Sequence, residues 1–211
     1  MENFHPIDLS KWERKEYCDH YFSAVPCTYS MTVKLDITRL VQSKEKLYPA
    51  MLYCLAKAVN RSRELKTVLS SNGQLGWFEK MHPSYTIFHK DTETFSCIWT
   101  AYTEDYQAFC QSYHQDLAQY GDIHHFDAKP NTPPNSFPVS MIPWESFEGF
   151  NLNLQKGFDY LTPIFTMGKY YEENGRFLLP LAIQVHHAVC DGYHVCRFVS
   201  HVREALEELP L

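Results

Sequence analysis

Three histidines, a cysteine and an aspartate fall within nine residues of IQVHHAVCDGYHV, positions 183–195. Residues of these types support three kinds of chemistry. A histidine can serve as a general base near neutral pH, where imidazole is matched to proton removal. His186 or His187, with Asp191 and His194, could instead bind a metal. HHxxxDGxH, however, matches no zinc spacing closely, and no second cluster completes a ligand set. The third reading is local: buried histidines and a helix-capping aspartate that satisfy nearby backbone groups. Spacing leaves all three open.

The elements around this segment must position it. LLPLAIQV, just before the histidines, is apolar and β-rich, and predicts a well-buried strand. Polar residues that follow such a strand emerge at its carboxyl end, where α/β proteins place their sites. Adjacent His186 and His187 point to opposite faces of an extended backbone, so only one can enter a given pocket. Gly192 permits a tight turn into a last helix over 193–208, with Val195, Phe198, Val199, Val202 and Leu206 on one face.

Upstream, Ser10-Lys-Trp-Glu13 has the form of a capping box and predicts a helix from about 11 to 22. Residues 27–37 alternate, with Cys27, Tyr29, Met31, Val33, Leu35 and Ile37 on one side, as a half-buried strand does. Pro49 suits a first helical position, and AMLYCLAKAVNRS continues as an amphipathic helix. A short strand is expected around 75–79, two strands in 84–102 broken near Lys90-Asp91, and a helix over 105–120. GDIHHFDAKPNTPPNSFP (121–138) reads as a long loop rather than a linker, because the flanking strands need each other to form a sheet. Asn174-Gly175 between apolar runs signals a hairpin. The fold class is therefore α/β, a two-layer sandwich with a mixed β-sheet covered by helices, and 1–211 is read as a single domain.

The chain has 211 residues, enough to bury roughly 70% of its unfolded surface without staples. A net charge of -6 and the lack of any basic run argue against nucleic acid. No apolar stretch approaches the ~20 residues of a membrane span. The seven cysteines, with no CxxC, read as reduced thiols, and the N-terminus has no apolar signal region, so a cytoplasmic location is expected. With 14 Tyr, 14 Phe and 4 Trp the chain can line a pocket for a flat apolar ligand as well as build an aromatic core.

IQVHHAVCDGYHV resembles the signature of the type A chloramphenicol acetyltransferase family. LSKWERKEY, PCTYSMTVKLDIT, LYPAMLY, TIFHKDTETFS, VSMIPWESF, FNLNL and TPIFTMGKYY resemble family blocks in the same order, so the likeness covers nearly the whole chain. HxxxDG alone is less specific, being shared with the acyltransferase cores of 2-oxo-acid dehydrogenase complexes. The resemblance implies a CoA-dependent acyltransferase fold and transfer of acetyl from acetyl-CoA to the antibiotic's primary hydroxyl, conferring resistance.

It also implies roles. The family's base is the histidine four before the aspartate, which is His187. The oxygen attacks the thioester directly in a ternary complex, without an acyl-enzyme. Ser140 matches the serine that donates to the oxyanion, and Thr166 a threonine holding a water near it. Asp191 pairs with Arg14 to hold the turn rather than forming a relay, while the imidazole tautomer is fixed by the histidine's own carbonyl. Tyr21, Val25, Cys27, Phe95, Phe126, Leu152 and Ile164 would line the acceptor pocket. Tyr48 and Tyr170 would neighbour the coenzyme, and no metal is implied. Family members are homotrimers with active sites between subunits. Tyr193, where phenylalanine is common, Cys196 in the last helix and the histidine-rich 121–138 loop depart from the pattern and bear on acceptor fit. Competing functions are a dihydrolipoamide-dependent core, against which the lack of a preceding lipoyl segment counts, and a ligand-binding relative without turnover.

Overall fold

The computed structural model describes residues 3–154 and 159–211. In chain order its first elements are β1 (Phe4–Pro6), α1 (Lys15–Asp19), a π-helical turn (His20–Ala24), β2 (Thr28–Asp36), α2 (Thr38–Gln42) and α3 (Leu47–Asn60). A 3-10 turn (Arg63–Lys66), β3 (Thr67–Leu69), β4 (Leu75–Phe78), β5 (His82–His89), β6 (Thr94–Trp99) and α4 (Tyr106–Tyr120) follow. β7 (Ser136–Ile142), β8 (Ile164–Gly168), β9 (Tyr171–Glu173), β10 (Arg176–His186) and α5 (Gly192–Glu207) complete the chain.

A small antiparallel sheet has the order β1-β4-β3, and the main sheet runs β2-β10-β8-β7-β5-β6, with β9 paired to β10. The main sheet is mixed. β2, β8 and β9 lie antiparallel to β10, and β6 antiparallel to β5, whereas β5, β7 and β8 run parallel. This is the α/β fold class expected from the sequence.

β10 positions the histidines, and its continuous burial from Leu178 to His186 follows from its place inside the sheet. Pro180 falls between its two partners on one edge, after the residues paired with β9 and before those paired with β8. A strand tolerates a missing N–H best at such a gap. Gly168, ending β8, leaves room for that proline: a Cβ there would meet Pro180 Cγ at 2.7 Å and Phe147 Cε1 at 2.8 Å. Gly168→Ala is therefore expected to cost about 1–3 kcal/mol through overpacking. Thermal denaturation should show a lowered Tm, and an unchanged Tm would refute the close packing. Asn174 (φ 53) and Gly175 (φ 75) form the two-residue turn between β9 and β10, both in the left-handed region as a type I′ hairpin requires.

The three long helices lie on the sheet face of Tyr85, Val139 and Phe165. Phe198 of α5 stacks on Phe165 at 5.0 Å, Tyr113 of α4 meets Tyr85 at 5.4 Å, and Tyr48 of α3 meets Tyr85 at 5.8 Å. The expected apolar positions of α5 are all buried. The opposite face carries Ser140, Thr166 and Gln184, which alternate with those core residues. The segment between Phe147 and Leu152 crosses it.

Four expectations need correction. The helix expected over 11–22 is only α1 plus the π-helical turn, because Asp8 captures both the Ser10 N–H and hydroxyl, so Ser10 is not free to cap. α3 begins at Leu47, so Pro49 is its third residue, still in the first turn where no backbone bond is lost. α3 is buried around most of its circumference rather than amphipathic, being packed between the sheet, α4 and α5. The 121–138 loop ends early, since β7 starts at Ser136. Among the described residues no helix is long and apolar enough to cross a membrane.

Candidate active site

His186 and His187 separate as an extended backbone requires. His186, the last residue of β10, is 1% exposed, and its Nδ1 accepts the Ala188 N–H at 3.1 Å. His187 begins the turn. Its N–H donates to the Cys27 carbonyl at 2.9 Å, which ties the turn to the entry of β2. Its ring lies flat on Tyr21, with centroids 3.9 Å apart and planes 7° apart, and tilts against Tyr29 at 5.2 Å. These contacts fix the imidazole plane by packing. The expected tie from Nδ1 to the histidine's own carbonyl is not seen: among the described residues the buried Nδ1 has no hydrogen-bond partner.

Asp191 is the N-cap of α5 and does not reach His187. Its Oδ2 accepts from Nη1 of Arg14, the residue at the N-cap position of α1, at 2.8 Å. Burial works to raise the Asp191 carboxyl, but the hydrogen bond and charge of Arg14 and the His194 backbone N–H outweigh it. The group therefore sits below the usual carboxylate range. Cys190 is buried beside it, and burial pushes its thiol up to about 12, so it offers no thiolate at neutral pH. Among the described residues no group of three or more His, Cys, Asp or Glu side chains could hold a metal ion.

Ser140 and Thr166 are register partners on the parallel strands β7 and β8, and their hydroxyl oxygens are 3.1 Å apart. Thr166 is 3% exposed and stands opposite Ala182 of β10, five residues before His187. At about 3.3 Å per residue, this hydroxyl pair lies roughly 16 Å along the strand from the His187 backbone. Within one chain, the two cannot share a reacting carbon.

The predicted acceptor residues divide the same way. Tyr21, Val25 and Cys27 cluster at the His187 turn, whereas Phe95 and Phe126 pair at 5.9 Å beside the β6 edge. Leu152 and Ile164 lie near Gln184, Leu152 by hydrogen bonds and Ile164 by ladder register. Val25, Phe95, Phe126 and Leu152 are each between 42% and 60% exposed, so one chain builds the walls of a pocket without closing it. Tyr48 and Tyr170 are not brought together. The Tyr48 hydroxyl donates to the Thr86 carbonyl at 3.2 Å on β5, and Tyr170 packs edge-on against Phe177 of β10 at 5.9 Å. Three strand spacings of about 4.8 Å separate those strands.

Two residues belong to this region that the sequence reading did not select. Gln184 grips the Leu152 backbone from both sides, its Oε1 accepting the N–H at 2.7 Å and its Nε2 donating to the carbonyl at 2.9 Å. A cavity of about 600 Å³ opens beside it, lined by Thr28, Ser30 and the 151–154 segment. Tyr29 flanks His187 with a buried hydroxyl that has no partner among the described residues, and burial keeps it protonated well above neutral pH. Its place on the apolar side of β2 was readable, but its pairing with β10 was not.

Residues 2–203 match the family model described as Chloramphenicol acetyltransferase. A chloramphenicol acetyltransferase of Campylobacter coli is 59% identical over 205 residues, spanning 97% of this chain and 99% of that relative. A solved structure of a chloramphenicol acetyltransferase superposes with a TM-score of 0.84 at 21% identity, over 97% of this chain and 100% of that one. A solved dihydrolipoamide acetyltransferase of Azotobacter vinelandii superposes with a TM-score of 0.61 at 15% identity, over 90% and 85%. At these identities the two structures speak for the fold.

Proposed function

Because the chain belongs to the chloramphenicol acetyltransferase family, we propose that it O-acetylates chloramphenicol with His187 as base and Ser140 as oxyanion donor. His187 takes the proton from the primary hydroxyl of the antibiotic, and that oxygen attacks the thioester carbonyl of acetyl-CoA in a ternary complex. The tetrahedral oxyanion is met by the Ser140 hydroxyl, with Thr166 holding a water beside it. Collapse breaks the carbon–sulfur bond, and the leaving thiolate takes the proton from the imidazolium. The products are the acetyl ester and CoA thiol. Arg14 and Asp191 hold the turn that presents the base. Tyr21, Val25, Cys27, Phe95, Phe126, Leu152 and Ile164 line the acceptor site, and Tyr48 and Tyr170 serve the coenzyme. The whole of 1–211 acts as one acetyltransferase domain, without a metal, in the cytoplasm, and confers resistance.

The observation that carries this reading is the separation within one chain of His187 from the Ser140–Thr166 hydroxyl pair, with the acceptor walls left exposed at both ends. A homotrimer whose sites lie between subunits supplies both halves, the base from one copy and the oxyanion donor from its neighbour. Mixing His187→Ala chains with Ser140→Ala chains tests it. Each variant alone is defective at every site. If subunits combine at random, about a quarter of interfacial sites pair an intact His187 with an intact Ser140. Thiol release from acetyl-CoA should rise well above either variant alone after joint refolding. No rise, with mixed oligomers present, would place both residues in one subunit's site and refute the arrangement.

A further inference from the structure

The Arg14–Asp191 pair does not end at Asp191. His194, one turn into α5, faces it: the Asp191 N–H donates to His194 Nδ1 at 3.1 Å, and Asp191 Oδ1 lies 2.8 Å from the same nitrogen. In the tautomer that accepts this N–H the ring proton sits on Nε2, whereas the alternative Nδ1–H would donate to Asp191 Oδ1. Nε2 lies 3.5 Å from Oε1 of Glu64, on the 3-10 turn after α3. The other oxygen of Glu64 accepts from Arg197 Nη2 at 2.6 Å. The result is an unbroken line across three elements, Arg14–Asp191–His194–Glu64–Arg197, with two cations and two carboxylates around a neutral ring. His194 and Glu64 have side chains only 12% and 20% exposed, so water screens their contact weakly.

From this geometry we infer that Glu64 is a positioning residue for the His187 turn, acting through His194. The inference rests on the proposal that His187 is the base. The ring has two states with different caps. When neutral in this tautomer, it accepts the Asp191 N–H and carries its proton on the nitrogen nearest Glu64. When protonated, Nδ1 becomes a donor aimed at Asp191 Oδ1, and the Asp191 N–H loses its acceptor. Only the neutral state holds the backbone of the turn four residues after His187. Burial is the largest influence on His194 and lowers its pKa; Glu64 and Asp191 oppose it, while Arg14 and Arg197 add to it. Cys190 keeps its proton and stays out of this balance. A carboxylate at Glu64 thus favours the Nε2–H tautomer electrostatically, and Arg197 holds that carboxylate in place.

The test compares steady-state kinetics of Glu64→Ala, Glu64→Gln, His194→Asn and the double variant Glu64→Ala/His194→Asn. Glu204→Ala, which removes only an exposed pair with Arg61, is the control. Glu64→Ala should lower kcat about 10–100-fold, the scale of a small displacement of a reacting group. KM for both substrates should stay within about twofold, since no binding contact is lost. Glu64→Gln keeps an oxygen for the Nε2–H and should recover most of kcat. His194→Asn keeps an acceptor near Nδ1 but loses the link to Glu64, so it should fall with Glu64→Ala. The double variant should then be no worse than either single. Full kcat in Glu64→Ala, equal losses in Glu64→Gln and Glu64→Ala, or additive losses in the double variant would each overturn the inference. An active His187→Ala would overturn the base assignment instead, whatever the Glu64 variants do.

Discussion

His187→Ala should lose about 10³–10⁴-fold in kcat with its fold intact, the upper range for removing a general base. The His187 Nδ1 has no hydrogen-bond partner among the described residues, and the ring stacks on Tyr21 and packs against Tyr29. The turn is held by the backbone, through the His187 N–H and the Cys27 carbonyl, and by the Arg14–Asp191 pair. Truncation therefore removes the proposed base without untying the loop, and Tm should move little while turnover collapses. His186→Ala reverses the pattern. Its ring is buried and its Nδ1 accepts the Ala188 N–H, so that variant should lose stability yet turn over when expressed per folded molecule. Thiol release from acetyl-CoA with chloramphenicol as acceptor, normalised to folded protein, separates the two. An active His187→Ala beside a dead His186→Ala would reverse the assignment.

The sequence made this contrast legible because its cues are local. A continuous apolar run marked β10 as interior, strand alternation sent the two histidines apart, and Asp191-Gly192 marked the start of α5. The hairpin at Asn174-Gly175 was readable for the same reason, since only residues tolerant of positive φ fit both positions. Where a cue had a local competitor the reading failed: Ser10 looked like a cap, but Asp8 two residues earlier takes its hydroxyl and its N–H. α3 looked amphipathic because Lys57 and Asn60 break its apolar run, and burial on several sides leaves no mark in a periodicity.

Contacts between distant segments were beyond reach. Nothing in FNLNL announces that Gln184, 32 residues on, will grip Leu152 at both backbone groups. Nothing in RSREL announces that Glu64 will meet His194 across 130 residues of chain. The parallel run β5, β7, β8 in the middle of the sheet is likewise set by long-range pairing, and it is this run that places Ser140 beside Thr166. The resemblance to a family supplied Ser140 and Thr166 as a pair; residue pattern alone would have read them as two unrelated strand positions.

Ser140→Ala isolates the oxyanion term from the base. Among the described residues the Ser140 hydroxyl has one neighbour within hydrogen-bond reach, Thr166 Oγ1 at 3.1 Å. If Thr166 donates to Ser140, the serine proton is free to point away from the sheet, toward where the tetrahedral oxygen forms. A donor held this way needs no reorganisation as charge develops, so its loss should cost ~10²–10³-fold in kcat. KM for both substrates should change little, because the contact is made in the transition state. Thr166→Ala should cost less, since it removes support for the donor and its water rather than the donor itself. Stability should barely move in Ser140→Ala, because one hydroxyl on a half-buried strand position is deleted without opening the core. Undiminished turnover in Ser140→Ala would sink the oxyanion role. A raised KM with kcat unchanged would make Ser140 a ground-state contact for substrate instead.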